Sequence, residues 1–528
     1  MKEFITTGDC NPDENYMVDI SQRLEEIKKL VDAGKYFCID RARQYGKTTT
    51  LRALASYLAE EYTVVLLDFQ DIGDSVFEQE GTFTQGLARL FLDAAEYDHV
   101  AIPQIFIDAF EAMNAKKGNS VKLDEIFRIF KRWGKESEKK IVLMIDEVDR
   151  ATNNQVFLDF LAQLRSLYLK RRTLTAFHSV ILASVTDIKH LKSKLRPEDD
   201  HKENSPWNIA ADFNIDMSLS ESGIKGMLDD YARDHHLSMD TAVIARRLRE
   251  YTSGYPYLVS RLCQLMDGIV GDKMGKWAAW TEQGMDEAVK MILADGKDPL
   301  FASVMGKLVN LPELKVQLHN ILMRGDVIAW LPDDAEQKLL SMYGFIKNEN
   351  NTVKVANHLF EMRLYQYFLG ESRKNEAFRN DALEHKSIFI NEDHTLNMPL
   401  ILEHFVETQK RVHGNADDRF LEEEGRERFL TYIAPIINGT GTYSIEEQTR
   451  NKLRMDVVIH YLGRRYVVEL KLWRGPRYNA EGEKQIMEYL DYFGLTTGYM
   501  VSFNFNKKKV QMVKRVNIGN KVLFEATV

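Results

Sequence analysis

Cysteine is scarce, with three residues in 528 (Cys10, Cys38 and Cys263), scattered along the chain. That excludes a disulfide framework and any cysteine-rich zinc site. The 13 histidines show no ligand spacing, and His235 and His236 read as surface residues. No run approaches the ~20 apolar residues of a membrane-spanning helix. Residues 1–10 lack the apolar core of a secretory signal. The expectation is a cytoplasmic protein with no membrane partner. Internal repeats and low-complexity tracts are also lacking. Positive charge is the smaller share, 70 Lys and Arg against 79 Asp and Glu, for a net charge of −9. Yet residues 450–515 hold 14 basic and 6 acidic residues, so that segment is +8 and the remainder −17. A basic module on an acidic protein is an electrostatic footprint for a phosphate backbone, or simply a soluble basic face.

Two stretches carry chemistry. Near the N-terminus, residues 35–40 (Lys-Tyr-Phe-Cys-Ile-Asp) read as a buried strand. Arg41, Ala42, Arg43, Gln44, Tyr45, Gly46, Lys47 and Thr48 follow, and then a helix over 49–59 with apolar residues at 51, 54, 55 and 58. Strand, loop, Gly-Lys-Thr and helix form the context of a phosphate-binding P-loop. Backbone N–H groups over residues 43–49, Thr49 included, cradle ATP phosphates at a helix N-terminus. Lys47 reaches the β/γ oxygens and Thr48 holds Mg²⁺. Arg41 stands where the motif's first glycine belongs, which removes backbone freedom at that turn. Residues 141–147 (Ile-Val-Leu-Met-Ile-Asp-Glu) read as the partner strand, with Asp146 in the Mg²⁺ shell and Glu147 polarising the attacking water. Residues 64–67 and 180–183 are apolar enough for parallel strands covered on both faces. Ser184, Thr186 and Asp187 end the second run, as a γ-phosphate sensor or as a strand cap.

In the C-terminal stretch, Asp456 sits in an apolar run (455–459), and Glu469 and Lys471 lie two apart in residues 466–471. Period-2 alternation sends Glu469 and Lys471 to one face, Val468 and Leu470 to the other. Gln485 and Tyr489 lie one helical turn apart. Hard divalent cations take carboxylate and carbonyl oxygens, so Asp456 and Glu469 suit Mg²⁺, with Mn²⁺ as a substitute. Lys471 is placed to orient water or offset phosphate charge. This arrangement resembles the PD-(D/E)XK nuclease superfamily, and Gln485 with Tyr489 resembles the Q-x-x-x-Y element of its RecB-like branch. The resemblance implies a further Glu on a preceding helix, for which Glu424 and Glu427 are candidates and Glu424 is preferred. Trp473, Arg474, Arg477 and Tyr478 suit stacking on bases or phosphate contact.

Between these stretches, residues 217–290 are helical in period, broken by Gly254-Tyr255-Pro256. That turn resembles one in the helical lid of STAND-type ATPases, or is a helix start with proline in its first turn. Arg261 is a candidate phosphate contact. Arg165, Arg171 and Arg172 are either arginine fingers or helix surface. Residues 340–355 suggest two short strands around a turn at 348–351, as in a winged helix. The expected organisation is an AAA-like P-loop core (1–215), helical lid (216–290), winged-helix-like module (291–375), linker (376–396) and PD-(D/E)XK-like domain (397–528).

Taken over nearly its full length, the chain resembles prokaryotic AAA-like, STAND-related ATPases of archaeal-ATPase type that carry a C-terminal PD-(D/E)XK domain. The fold class implied is α/β, with a P-loop parallel sheet and a second restriction-endonuclease-like α/β domain. The resemblance implies ATP-switched cleavage of nucleic acid, DNA above all, and an ATP-dependent homo-oligomer. The alternative is a signalling ATPase whose C-terminal domain binds nucleic acid or protein without cutting.

Overall fold

The computed structural model describes the chain except residues 1, 9, 117–119, 175, 187, 189–204, 325–326, 372–375, 414–421, 438–440, 449–453, 473–475 and 505–509. The side chains of 323–324, 371, 413, 422–423, 442, 444–448, 454–456, 472 and 476–481 also lie outside the description. Contacts divide the chain into two compact units. One holds residues 1–231, 254–260 and 338–344, and the other holds the remainder.

The first unit is built on four parallel strands: β1 (Tyr36–Asp40), β2 (Tyr62–Asp68), β3 (Lys140–Asp146) and β4 (Phe177–Ser184). Their spatial order is β1-β4-β3-β2, and Ala211 adds one parallel bridge to Phe37 at the outer edge of β1. Apolar residues on both sides of each strand feed two separate cores. Val142 and Met144 pack with Leu51, Leu54 and Leu58 of the Lys47–Leu58 helix. Leu143 and Ile145 face the opposite layer, with Phe127, Phe130 and Trp133 of the Leu123–Glu136 helix. Each such fully buried side chain contributes about 1.5–3 kcal/mol. Gly134 is required in that helix, because a Cβ there would lie 2.5 Å from the Ala176 Cα. Since all four strands run parallel, their carboxyl ends share one rim, where ligands of open α/β sheets bind. The expected runs at 35–40, 64–67, 141–147 and 180–183 fall on these strands except for Lys35 and Glu147, which lie just outside β1 and β3.

In the second unit, β5 (Ile346–Glu349) and β6 (Thr352–Val355) form an antiparallel hairpin. Its turn residues Asn350 and Asn351 both take left-handed backbone (φ 54° and 60°), as a two-residue hairpin turn demands. Residues 376–396, expected to be a linker, contain the helix Glu376–Glu384 with Phe378, Asp381 and Ala382 buried. The sequence there is polar overall, but its few apolar residues recur at helical spacing.

A six-stranded mixed sheet closes the chain: β7 (Gly441–Gln448), β8 (Arg454–Tyr461), β9 (Arg464–Leu472), β10 (Thr497–Phe503), β11 (Met512–Ile518) and β12 (Lys521–Thr527). The order is β11-β12-β10-β9-β8-β7. The strand pairs β7–β8 and β8–β9 are antiparallel, and β9–β10 and β10–β12 are parallel. Parallel neighbours need a crossover, and the helix Pro476–Phe493 supplies it between β9 and β10. Ile486 and Leu490 of that helix meet Gly498. The opposite face is covered by the helices Met398–His413 and Glu422–Ile437, where Phe405 and Gly425 pack on Phe503.

Candidate functional site

The loop between β1 and the Lys47–Leu58 helix sits on the carboxyl rim of the first sheet. Positive φ falls at Gln44 (56°) and Gly46 (77°), and Gly46 is the helix N-cap. Arg41 is not among the positive-φ residues of the described chain, so the turn does not need glycine there. Its guanidinium donates to the carbonyls of Asp40 (2.8 Å) and Ile215 (2.9 Å) and lies 5.3 Å from the Phe213 ring centroid. The departure from the P-loop pattern is therefore a tether to residues 213–215 rather than a damaged turn.

Lys47 is buried, and its ammonium donates to the carbonyls of Arg41 (2.9 Å) and Ala42 (3.1 Å). Burial lowers its pKa, so the site holds a cation that gains from an arriving polyphosphate. Thr48 Oγ1 donates to Asp146 Oδ2 at 2.6 Å. A hydroxyl beside a buried carboxylate is a donor set that suits Mg²⁺. Glu147 takes left-handed backbone (φ 51°), its N–H donating to Asp146 Oδ1 at 2.8 Å. Burial, then the Asp146 charge, pushes its carboxyl above the ordinary range. Burial likewise raises Asp68, with Asp146 adding to the effect. A groove of about 1010 Å³ opens beside Thr48, Asp68 and Asp146.

The Gly-x-Pro turn lies against this loop. A Cβ at Gly46 would sit 3.8 Å from Pro256 Cγ, Tyr255 stacks edge-on to Tyr45 at 4.7 Å, and the Tyr255 hydroxyl donates to the Arg43 carbonyl. Arg43 and Gln44 are exposed, and Thr49 Oγ1 accepts from the Cys10 N–H at 3.5 Å. The Arg261 guanidinium lies 3.4 Å from Asp295 and 3.6 Å from Asp298. Arg171 stacks on Tyr168 at 4.0 Å. Ser184 Oγ donates to the Thr186 carbonyl at 2.6 Å, which is capping geometry; Asp187 lies outside the described residues.

Asp149, which sequence reasoning passed over, accepts the N–H groups of both Val185 and Thr186 (2.5 and 2.8 Å). It ties the end of β4 to the turn that carries Glu147. Its only sequence signal was a third acidic residue two positions after Glu147.

A family model described as an AAA-like domain matches residues 13–369. The chain belongs to the AAA-like family. No curated protein matches it. Among solved structures it is similar to a Walker-type ATPase of Pyrococcus abyssi (15% identity, 68% of this chain and 99% of that one, TM-score 0.47). It is also similar to the RuvB Holliday junction branch migration motor of Thermotoga maritima (12%, 67% and 96%, TM-score 0.35). Cdc6p of Pyrobaculum aerophilum is a third such structure (14%, 67% and 95%, TM-score 0.33). The AAA-like match and the P-loop geometry agree on a nucleotide-binding ATPase module.

The matched span of the AAA-like model stops short of the C-terminal sheet. There, Glu469 on β9 is wholly buried and Lys471 Nζ lies 2.8 Å from its Oε1. Val468 and Leu470 are buried on the other face, so β9 is covered on both sides and is no solvated strand. Asp456 lies on the adjacent strand β8, its side chain outside the description. Across the crossover helix, Gln485 Nε2 donates to Tyr489 Oη at 2.7 Å, and Tyr489 is fully buried. A Cβ at Gly482 would meet Met500 Sδ at 3.2 Å and Lys471 Cγ at 3.5 Å. Glu424 is exposed, next to Gly425 on the helix that packs on the opposite face of the sheet. Met500 pairs in register with both Glu469 and Glu525. That exposes a second buried carboxylate in the row, Glu525, whose Oε2 is 2.6 Å from Lys514. Trp473, Arg474 and residues 507–509 lie outside the described residues, as do the side chains of Arg477 and Tyr478.

Proposed function

We propose that this AAA-like ATPase uses its C-terminal domain for metal-dependent cleavage of phosphodiester bonds, DNA above all, with cleavage switched by the nucleotide state of the P-loop module. The observation that carries the reading is the burial of Glu469 with Lys471 two residues on, beside the strand of Asp456 and under the helix of Gln485 and Tyr489. Burying a carboxylate against a half-buried ammonium is costly and is commonly neutral or worse for stability than an apolar pair. Such a pair therefore points to chemistry rather than to folding.

In this reading Asp456 and Glu469 would hold Mg²⁺ or Mn²⁺, which would lower the pKa of a bound water. Lys471 orients that water and offsets charge on the phosphate. Gln485 and Tyr489 hold the crossover helix polar on the side of the sheet that faces Lys471. Glu424, exposed on the preceding helix, is the further acidic residue of this reading. At the P-loop, Lys47 exchanges its two carbonyl partners for phosphate oxygens, Thr48 and Asp146 hold the Mg²⁺, and Glu147 takes up a proton from the attacking water. The hairpin β5–β6 and its neighbouring helices serve as a winged-helix-like module, and ATP drives assembly into a homo-oligomer.

The test is incubation of the purified chain with plasmid and single-stranded DNA, with Mg²⁺ or Mn²⁺ and with or without ATP. Nicking by the wild type, abolished in Asp456→Ala, supports the reading. Intact DNA under every condition, with ATP still bound, refutes cleavage and favours a switch that binds without cutting.

A further inference from the structure

A cluster outside both sites joins three groups of metal-ligating type: Asp381, His385 and His404, whose ligand atoms lie within 4.8 Å of one another. We propose that these residues form a third metal site, for a borderline divalent ion of the Zn²⁺ class, which staples the helix Glu376–Glu384 to the helix Met398–His413.

The spacing follows from helix geometry. Asp381 and His385 are one turn apart, so their side chains share a face. His404, Thr408 and Arg411 share a face of the second helix by the same rule, and that face meets Asp381. Asp381 is buried, and a buried carboxylate is tolerated only when its oxygens are served. Oδ2 accepts from Thr408 (2.8 Å) and from Tyr432 (3.0 Å), while Oδ1 accepts from Arg411 (2.6 Å). Burial pushes the carboxyl up, but those hydrogen bonds outweigh it and hold it below the ordinary range. A carboxylate offers about four acceptor positions, so three are filled. The remaining one belongs to Oδ1, which lies 3.8 Å from His385 Nδ1.

The His385 imidazole is prepared in the way a metal ligand is. His385 Nδ1 is 2.9 Å from the Asp381 backbone carbonyl. A carbonyl only accepts, so Nδ1 carries the proton and Nε2 keeps the lone pair. Fixing the tautomer through the second nitrogen is what metal-bound histidines show. The His404 ring stands 4.8 Å from the His385 ring and edge-on to Phe389 at 5.2 Å, which restricts its rotation. Tetrahedral bonds of ~2.0–2.1 Å place ligands ~3.4 Å apart, so ligand atoms that already lie within 4.8 Å of one another need only draw together to complete the site. Two nitrogens and one oxygen favour Zn²⁺ or Co²⁺ over Mg²⁺. Arg411 is the built-in competitor: its side chain is 65% exposed, so it swings out to solvent when a cation takes its place.

The test is Co²⁺ titration of the full chain in excess Mg²⁺-ATP, read by visible absorption. Tetrahedral Co²⁺ absorbs strongly, whereas the oxygen-rich sites at Thr48/Asp146 and Asp456/Glu469 favour weakly absorbing octahedral ions. The wild type is expected to give a tetrahedral band that Zn²⁺ abolishes. His404→Ala and His385→Ala are expected to lose the band while unfolding cooperatively without metal, as the wild type does. Tyr432→Phe is expected to weaken binding by about tenfold, and Arg411→Gln to tighten it. A silent wild type, an unchanged band in His404→Ala, or Arg411→Gln without effect would each overturn the site and leave an Asp381–Arg411 ion pair beside two imidazoles.

Discussion

Glu147 and Lys47 sit in one cluster with Asp68, Asp146 and Asp149, and the charges of these neighbours act on both. Glu147→Gln keeps the shape of the side chain but removes the proposed base. ATP affinity is expected to change little while turnover falls by about 10²–10⁴-fold, measured by phosphate release alongside fluorescent-nucleotide binding. Lys47→Ala removes the phosphate partner itself, and binding weakens by ~1.5–3 kcal/mol. The raised Glu147 pKa fixes the sign of the pH profile. With Glu147 as the proposed base, which must be ionised, turnover is expected to fall as pH drops through a value above the ~4.3 of an ordinary glutamate. Glu147→Gln abolishes that acidic limb. The same shift has a stability consequence. A carboxyl whose folded pKa is raised contributes stability below its unfolded pKa, and loses it as pH rises through the folded one. Asp149 acts at one remove. Asp149→Ala frees the Val185 and Thr186 N–H groups, and kcat is expected to drop more than nucleotide affinity.

At the scale of elements, the strand–loop–helix around Lys47 was legible because its parts are contiguous in sequence, and local spacing dictates their geometry. The paired strand was legible because Asp146 and Glu147 end a run too apolar to be anything but buried. Arg41 was misread: a missing glycine looked like a defect, whereas its partners at 213 and 215 are more than 170 residues away. Arg41→Gly is accordingly expected to lower stability by about 1–3 kcal/mol in thermal unfolding, with no gain in turnover. Gly134 carries a similar long-range reason. Gly134→Ala drives a methyl into the Ala176 backbone and is expected to cost about 1–3 kcal/mol. The folding of residues 376–389 and the meeting of His385 with His404 were illegible for the same cause. Helix packing, not sequence spacing, brings 19 residues' separation down to ring contact.

Over the whole molecule, the AAA-like match covers residues 13–369, and the C-terminal sheet follows as a fold with its own core and its own buried ionic row. Period-2 alternation placed Glu469 and Lys471 on one face, as their ion pair requires. It gave no sign of Glu525, which joins the row only through the register of β9, β10 and β12. In the proposed function the P-loop module and the C-terminal sheet act as one enzyme. Plasmid cleavage by the Glu147→Gln variant, with and without ATP and compared with wild type, tests that coupling directly. The account predicts that cleavage depends on ATP and that Glu147→Gln, trapped with nucleotide bound, alters its extent. Cleavage that is identical with and without ATP in both proteins would contradict it.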